Sequence, residues 1–250
     1  MPAVHRRSSA GRSKEPVIEP YRGTLPEELL LLAHDPVTGR ELSRAPYIEY
    51  GVAGAILAEL ERAGRVRADG GRLGLVDPAH VGDPGLDWVL DVLCRQGAAA
   101  GRGIGARVWI RDAGLHVVEI YRNGLVACGA LRVERRRMLG VFPYDRYPVG
   151  EVDWTTPVRE RVDGAARSGQ ADTGTHLLAG LVAATGIDEE LYPGFVALRL
   201  RRTLDGFADG ERTADTVQRL VESDESARTR RARRTRFGSG DGGSSFGGDD

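Results

Sequence analysis

Lysine and cysteine are nearly missing from this chain. Lys14 is the only lysine among 250 residues, and Cys94 and Cys128 are the only cysteines. Neither cysteine belongs to a CxxC pair or stands near a histidine cluster, which argues against a zinc site. Both are expected as reduced thiols in the core of a cytosolic protein. No apolar run approaches the ~20 residues that a membrane span needs. Met1 to Glu19 lacks the apolar stretch of a secretory leader, so none is expected. HExxH, Walker A and GxSxG motifs are absent as well. Gly101-Arg-Gly-Ile-Gly is glycine-rich but follows a helical pattern rather than a strand, so it fails as a nucleotide fingerprint. The five histidines are scattered, with His34 and His176 on helical segments as core or surface residues. No catalytic constellation emerges, and neither an enzyme, a cofactor nor a metal is expected.

Charge is unevenly spread behind a net value of −1. Residues 1–22 hold five basic against two acidic residues, and residues 228–250 hold six against three. Each end is therefore +3, leaving −7 on the body between them. An acidic body with basic ends is unlike a nucleic-acid-binding domain, which concentrates positive charge on the fold itself. The preference for Arg over Lys, with abundant Ala and Gly, suggests a GC-rich bacterial genome. Residues 1–22, polar and punctuated by Pro2, Pro16 and Pro20, read as a disordered basic arm. From 225 onward, charge followed by Gly, Ser and Asp reads as a disordered tail. One domain, 23–224, is left between them.

Within it the pattern is mainly helical. Thr24 and Glu27 form a capping box, with Pro26 in the first turn of a helix whose Leu29, Leu30, Leu31 and Leu32 demand burial all round. A second helix carries Val52, Ile56, Leu57 and Leu60 at helical spacing. Its Gly51 and Gly54 permit close approach of a neighbour, and Gly64 stops it. Alternation around Asp69-Gly-Gly predicts a small hairpin. Pro84 opens a helix to about Arg95, Gly97 to Gly105 reads as loop, and helices are expected near 105–112 and 115–127. A second hairpin follows, with strands near Gly129–Glu134 and Met138–Phe142 and Arg135, Arg136 and Arg137 at or near its turn. Further helices are expected near 157–168, 173–186, 189–205 and 211–224, with the apolar Leu177 to Ile187 stretch at the centre. The fold class is thus mainly α: a single-domain bundle of amphipathic helices around an apolar core, with a prominent β-hairpin. No repeat period is present.

Leu25-Pro-Glu-Glu-Leu-Leu-Leu-Leu, Gly51-Val-Ala-Gly-Ala-Ile-Leu-Ala-Glu-Leu and the Gly129-Ala-Leu turn, in that order, resemble the Golgi phosphoprotein 3 family. Leu177-Leu-Ala-Gly-Leu-Val-Ala and the helix Phe195 to Leu204 look like that family's buried helix pair. The likeness covers about residues 24–222, and relatives of the family occur in actinobacteria. It implies a non-enzymatic protein that binds phosphatidylinositol 4-phosphate at a membrane surface. In the eukaryotic members of the family, a Trp before the second helix, an Arg near its start, and basic residues on the helix before the second hairpin hold the head group. Here Arg44 stands at the Trp position and Ala53 at the first Arg. The later positions fall near Leu115 and Val118, and a small gap would bring in Arg111.

Arg44, Arg111, Arg132, Arg135, Arg136 and Arg137 are therefore the candidate lipid-binding residues, since guanidinium forks suit phosphate. Met138, Leu139 and Phe142 are the candidate membrane-contact residues, while packing within the subunit is the plainer role for at least half of the apolar set that also includes Val141. A solvated hairpin turn is the plainer alternative for the arginines. The run Arg228-Thr-Arg-Arg-Ala-Arg-Arg-Thr-Arg adds membrane attraction, touches nucleic acid, or is a silent solvated tail. The leading reading is a cytoplasmic protein, peripheral to the inner face of the membrane, that binds anionic phospholipid head groups. A soluble adaptor or self-associating protein acting through the hairpin is the alternative, and an enzyme with an unrecognised site a weaker one. Nucleic acid is not expected as a partner.

Overall fold

The computed structural model describes residues 23–97, 103–138 and 141–237, with side chains as far as 230. Helix α1, Leu25–Leu32, begins as the capping box demands, its Glu27 carboxylate accepting the Thr24 N–H at 2.8 Å. Eight residues are too few for a helix to persist alone in water. Burial holds it instead: Leu29, Leu30, Leu31 and Leu32 are all at most 2% exposed. Each contributes roughly 1.5–3 kcal/mol by leaving water.

Helix α2, Tyr47–Arg62, runs through the middle and packs on α1, on α4 (Ala106–Ala127), on α6 (Thr173–Ala184) and on α9 (Arg212–Phe237). Two glycines make that crowding feasible. A Cβ at Gly51 would lie 2.5 Å from Thr185 Cγ2, and one at Gly54 would lie 2.6 Å from Val217 Cγ2. Helix α6 is central as well, touching α1, α2, α5 (Thr155–Ser168), α8 (Leu198–Ala208) and α9.

The first hairpin pairs β1, Val66–Asp69, with β2, Arg72–Leu75, through a turn in which Gly70 and Gly71 take φ of 53° and 75°. Positive φ at both central positions matches the right-handed twist of the strands. Val66 and Leu73 point into the core, at 3% and 1% exposure. Helix α3, Pro84–Arg95, turns Leu86, Val89, Leu90 and Leu93 inward, as its spacing predicts.

Several boundaries differ from the sequence reading. Residues 106–127 form one helix, not two, because Gly114 serves contact rather than termination: its Cβ would meet the Glu49 carbonyl oxygen at 2.8 Å. Ile104–Gly105 is a strand, β3, that extends the first hairpin into a three-stranded antiparallel sheet, while residues 98–102 of the expected loop lie outside the described residues. The helix expected over 189–205 is interrupted. Pro193 forces Tyr192 out of the helical region (φ −128°, ψ 69°), so α7 is only Ile187–Leu191. A 3-10 turn at Phe195–Ala197 then leads into α8. Helix α9 passes the expected end at 224 and runs to Phe237, since Arg and Ala are strong helix formers and no Gly intervenes before Gly238. The arm 1–22 and residues 238–250 lie outside the described residues. Cys94 and Cys128 are exposed, not in the core, because each falls on the outer side of a helix end.

Candidate functional site

The second hairpin pairs β4, Glu134–Met138, with β5, Phe142–Arg146, antiparallel and in full register from Glu134↔Arg146 to Met138↔Phe142. Its strands lie about four residues later than the sequence reading places them. Arg135, Arg136 and Arg137 therefore stand on β4 itself and not at the turn, which is closed by the Val141 N–H donating to the Met138 carbonyl at 3.2 Å. A run of like charges suggests a turn, but Arg tolerates an exposed strand and its charge guards an open edge. Side chains alternate between faces. One face carries Arg135 and Arg137 with Pro143 and Asp145; the other carries Glu134, Arg136 and Met138 with Phe142, Tyr144 and Arg146.

Most of this surface is open to water. Met138, Val141 and Phe142 are 59%, 71% and 61% exposed, so packing within the subunit does not hide them. Leu139 lies outside the described residues. Glu134 bridges Arg132 at 2.8 Å and Arg136 at 2.6 Å, and those two guanidinium groups hold its carboxyl below the usual range, Arg136 more strongly. Arg135 reaches only to 3.8 Å from Asp145. Among the described residues Arg137 makes no ion pair. The hairpin base is anchored on the segment after α1. The Tyr147 N–H donates to the Gly39 carbonyl at 3.0 Å, and Arg146 Nη1 donates to the Thr38 carbonyl at 3.3 Å.

Arg44 and Arg111 belong to a different place. Arg44 is exposed just before α2, where its carbonyl accepts the Tyr47 N–H at 2.7 Å. Arg111 lies 3.4 Å from Asp224 of α9, whose carboxylate also accepts the Tyr50 hydroxyl at 2.8 Å. Arg228, on the stretch expected to be disordered, donates to the Ala45 carbonyl at 2.9 Å and sits 5.4 Å from the centre of the Tyr47 ring. Arg122 shows how far this corner is from the hairpin. It bonds Glu41 at 3.0 Å and stacks over Tyr147 at the hairpin base. It is eleven residues beyond Arg111 on α4, about 16 Å along the axis. The candidate arginines thus form two groups rather than one. Ala53 and Val118 are buried, and Leu115 is 62% exposed.

Sequence reasoning misses Tyr47, Tyr50, Asp224 and Arg228 as a unit. Only the polybasic run signals Arg228, and its composition points to a tail. Cavities of about 400 and about 430 Å³ lie elsewhere, the first under the three-stranded sheet and the second between Trp88 and His116, and neither is lined by a candidate residue. Among the described residues no group of three or more His, Cys, Asp or Glu side chains is placed to hold a metal. His34 is buried and donates through Nδ1 to the Leu30 carbonyl at 2.7 Å; burial lowers its pKa to about 4, so it stays neutral. Asp188, buried near Asp205 and Glu189, has its pKa raised to about 7, chiefly by loss of water.

The molecule is thus a helical body with an exposed, charged hairpin anchored at its base. Residues 25–223 match the model of the family Golgi phosphoprotein 3 (GPP34), and the chain belongs to that family. No curated protein matches the chain. The family and the mainly α fold agree with the sequence reading. No helix among the described residues is long and apolar enough to cross a membrane.

Proposed function

We propose that this protein is a non-enzymatic, peripheral membrane protein of the cytoplasmic face that binds anionic phospholipid head groups. One observation carries the reading: the tip of the second hairpin offers Met138, Val141 and Phe142 to solvent, with Arg136 on the face that Met138 and Phe142 occupy and Arg135 and Arg137 on the opposite face of the same short strand. Guanidinium groups meet lipid phosphates at the depth where apolar side chains reach the acyl boundary, and each basic residue near an anionic leaflet contributes about 1 kcal/mol. Family membership supports the same direction. The exposed Arg44 and the Arg111 corner supply a second patch of charge. With Arg44 and Ala53 where the family places Trp and Arg, selectivity for the 4-phosphate over other anionic lipids is expected to be modest.

Co-sedimentation with vesicles containing phosphatidylinositol, its phosphates, phosphatidylglycerol or cardiolipin tests this, at low and physiological salt. Binding should need an anionic lipid and weaken as salt screens it. No binding to any anionic vesicle would refute the proposal. The face bearing Met138, Phe142 and Tyr144 also favours a second reading, in which the hairpin pairs with another copy or a protein partner. A concentration-dependent oligomer that F142S dissolves, with no vesicle binding, would select that reading.

A further inference from the structure

The most exposed apolar side chains among the described residues are not on the hairpin. Phe195 is 89% exposed and Val196 100% exposed, side by side in the 3-10 turn that opens α8. Scattered surface hydrophobes are ordinary, but this pair has a defined setting. Pro193 and Gly194 lift it off the body, Gly194 with φ of 82°. Behind it, α8 is strongly two-sided: Leu204 and Phe207 are buried, while Arg199 and Arg202 are exposed. Arg199 and Arg202, at i and i+3, share one face of α8 just beyond the Phe195–Val196 turn. Among the described residues neither Arg199 nor Arg202 has an acidic partner, in contrast to Arg132 and Arg136. The result is an aromatic and aliphatic tip followed by two exposed arginines that make no ion pair among the described residues.

From this placement we infer that the Phe195–Val196 turn is a second membrane-insertion element, with Arg199 and Arg202 resting on anionic head groups behind it. The inference rests on the lipid-binding reading above and assigns that contact a second point. A protein partner fits less well. The apolar surface is two side chains wide, far below the ~800 Å² per side of a stable complex. A bilayer requires no complementary shape, and each inserted apolar group gains by leaving water. Helix α7, which leads into the turn, is tied to the segment that holds the hairpin base. Gly39 and Thr38 hold the hairpin base, and Arg40 of the same segment bridges Glu190 of α7 at 2.7 Å.

The test uses the full chain, phosphatidylcholine vesicles with and without phosphatidylglycerol, and three variants. F195S/V196S removes the tip, R199S/R202S removes the two arginines, and F195W reports depth through quenching by brominated acyl chains, measured against the parent with its three tryptophans. All substituted positions are solvent-facing, and unchanged helix content confirms folding. A roughly tenfold or greater loss of affinity is expected for the tip variant. The arginine variant should lose affinity for anionic vesicles alone. The F195W variant should show quenching beyond that of the parent when vesicles bind. If the parent binds anionic vesicles while the tip variant binds equally well and F195W shows no added quenching, the inference is wrong and the lipid-binding reading stands. If the parent binds no vesicle, both fall together. If the tip variant instead converts a dimer to a monomer without altering vesicle binding, the turn is a self-association surface and the inference is overturned.

Discussion

The chain makes two hairpins of nearly equal size, and they have opposite fates. In the first, alternation sends Val66 and Leu73 into the core, a third strand covers one edge, and Arg212 of α9 donates to the Ala68 carbonyl at 2.8 Å. In the second, alternation gathers Arg135, Arg137 and Asp145 on one face and mixes charge with Met and Phe on the other, and neither face is covered. An isolated two-stranded hairpin is marginal in water, so the second is held from its base rather than by its own side chains. The same local geometry thus joins the core where one face is wholly apolar, and stays exposed where both faces carry charge.

The sharpest way to break that comparison is to truncate one apolar side chain in each. Leu73→Ala should destabilise the fold by about 2–5 kcal/mol, since a fully buried leucine leaves a cavity. Phe142→Ala should cost no more than about 0.5 kcal/mol. Urea denaturation of the two variants measures both, and equal losses would show that the second hairpin is packed after all.

Membrane affinity should invert the ranking. Replacing Arg135, Arg136 and Arg137 with Ser should remove roughly 1–3 kcal/mol of binding to anionic vesicles at about 1 kcal/mol per charge. The lower part of that range reflects the partners Glu134 and Asp145, which already compensate two of the three. The melting temperature should hardly move. A deletion variant lacking Arg228–Arg236 provides the control: if it loses vesicle binding while the triple variant keeps it, the contact lies on α9.

Ionisation sharpens the contrast between body and exposed hairpin. Asp188 has a folded pKa raised to about 7 from an ordinary 3.8, so the folded state binds its proton more tightly than the unfolded state does. Stability from this group is full below about pH 4, declines as pH rises toward 7, and is flat above. Asp188→Asn should therefore raise stability at pH 8 by roughly 1–3 kcal/mol and change little at pH 4. Thermal melts across that range check it. Glu134 is shifted the other way by exposed arginines, and Glu134→Gln should leave the melt nearly unchanged at both pH values. Arg228→Ala gives up an exposed hydrogen bond and a ring contact, and the same melts should show a loss of about 0.5–1 kcal/mol.

What is legible in the sequence is whatever local chemistry decides. The Thr24–Glu27 box, the Gly70–Gly71 turn and the all-round apolarity of α1 and α6 each have one physical reading, and the fold follows them. The failures come from residues with two. Gly114 reads as a break, yet it is where α2 presses on α4. The arginines 135–137 read as a turn, yet they belong to a strand whose partner begins at Phe142. Arg228 reads as disorder, although Arg and Ala also build helices. For the candidate site, the residue types are legible and their grouping is not. Nothing local to Arg44 or Arg111 says that α4 separates them from the hairpin, and nothing before Pro193 says that Phe195 will stand clear of the body.

Helix α4 has a further consequence. It begins where β3 ends, with the Ala106 N–H bonded to the Gly71 carbonyl, and it closes on the Ala130 and Leu131 amides just before the second hairpin. Its 22 residues make a strut about 33 Å long. A load applied to the hairpin tip would therefore divide at its base, part passing to the segment around Gly39 and part along a single helix toward the three-stranded sheet at its far end.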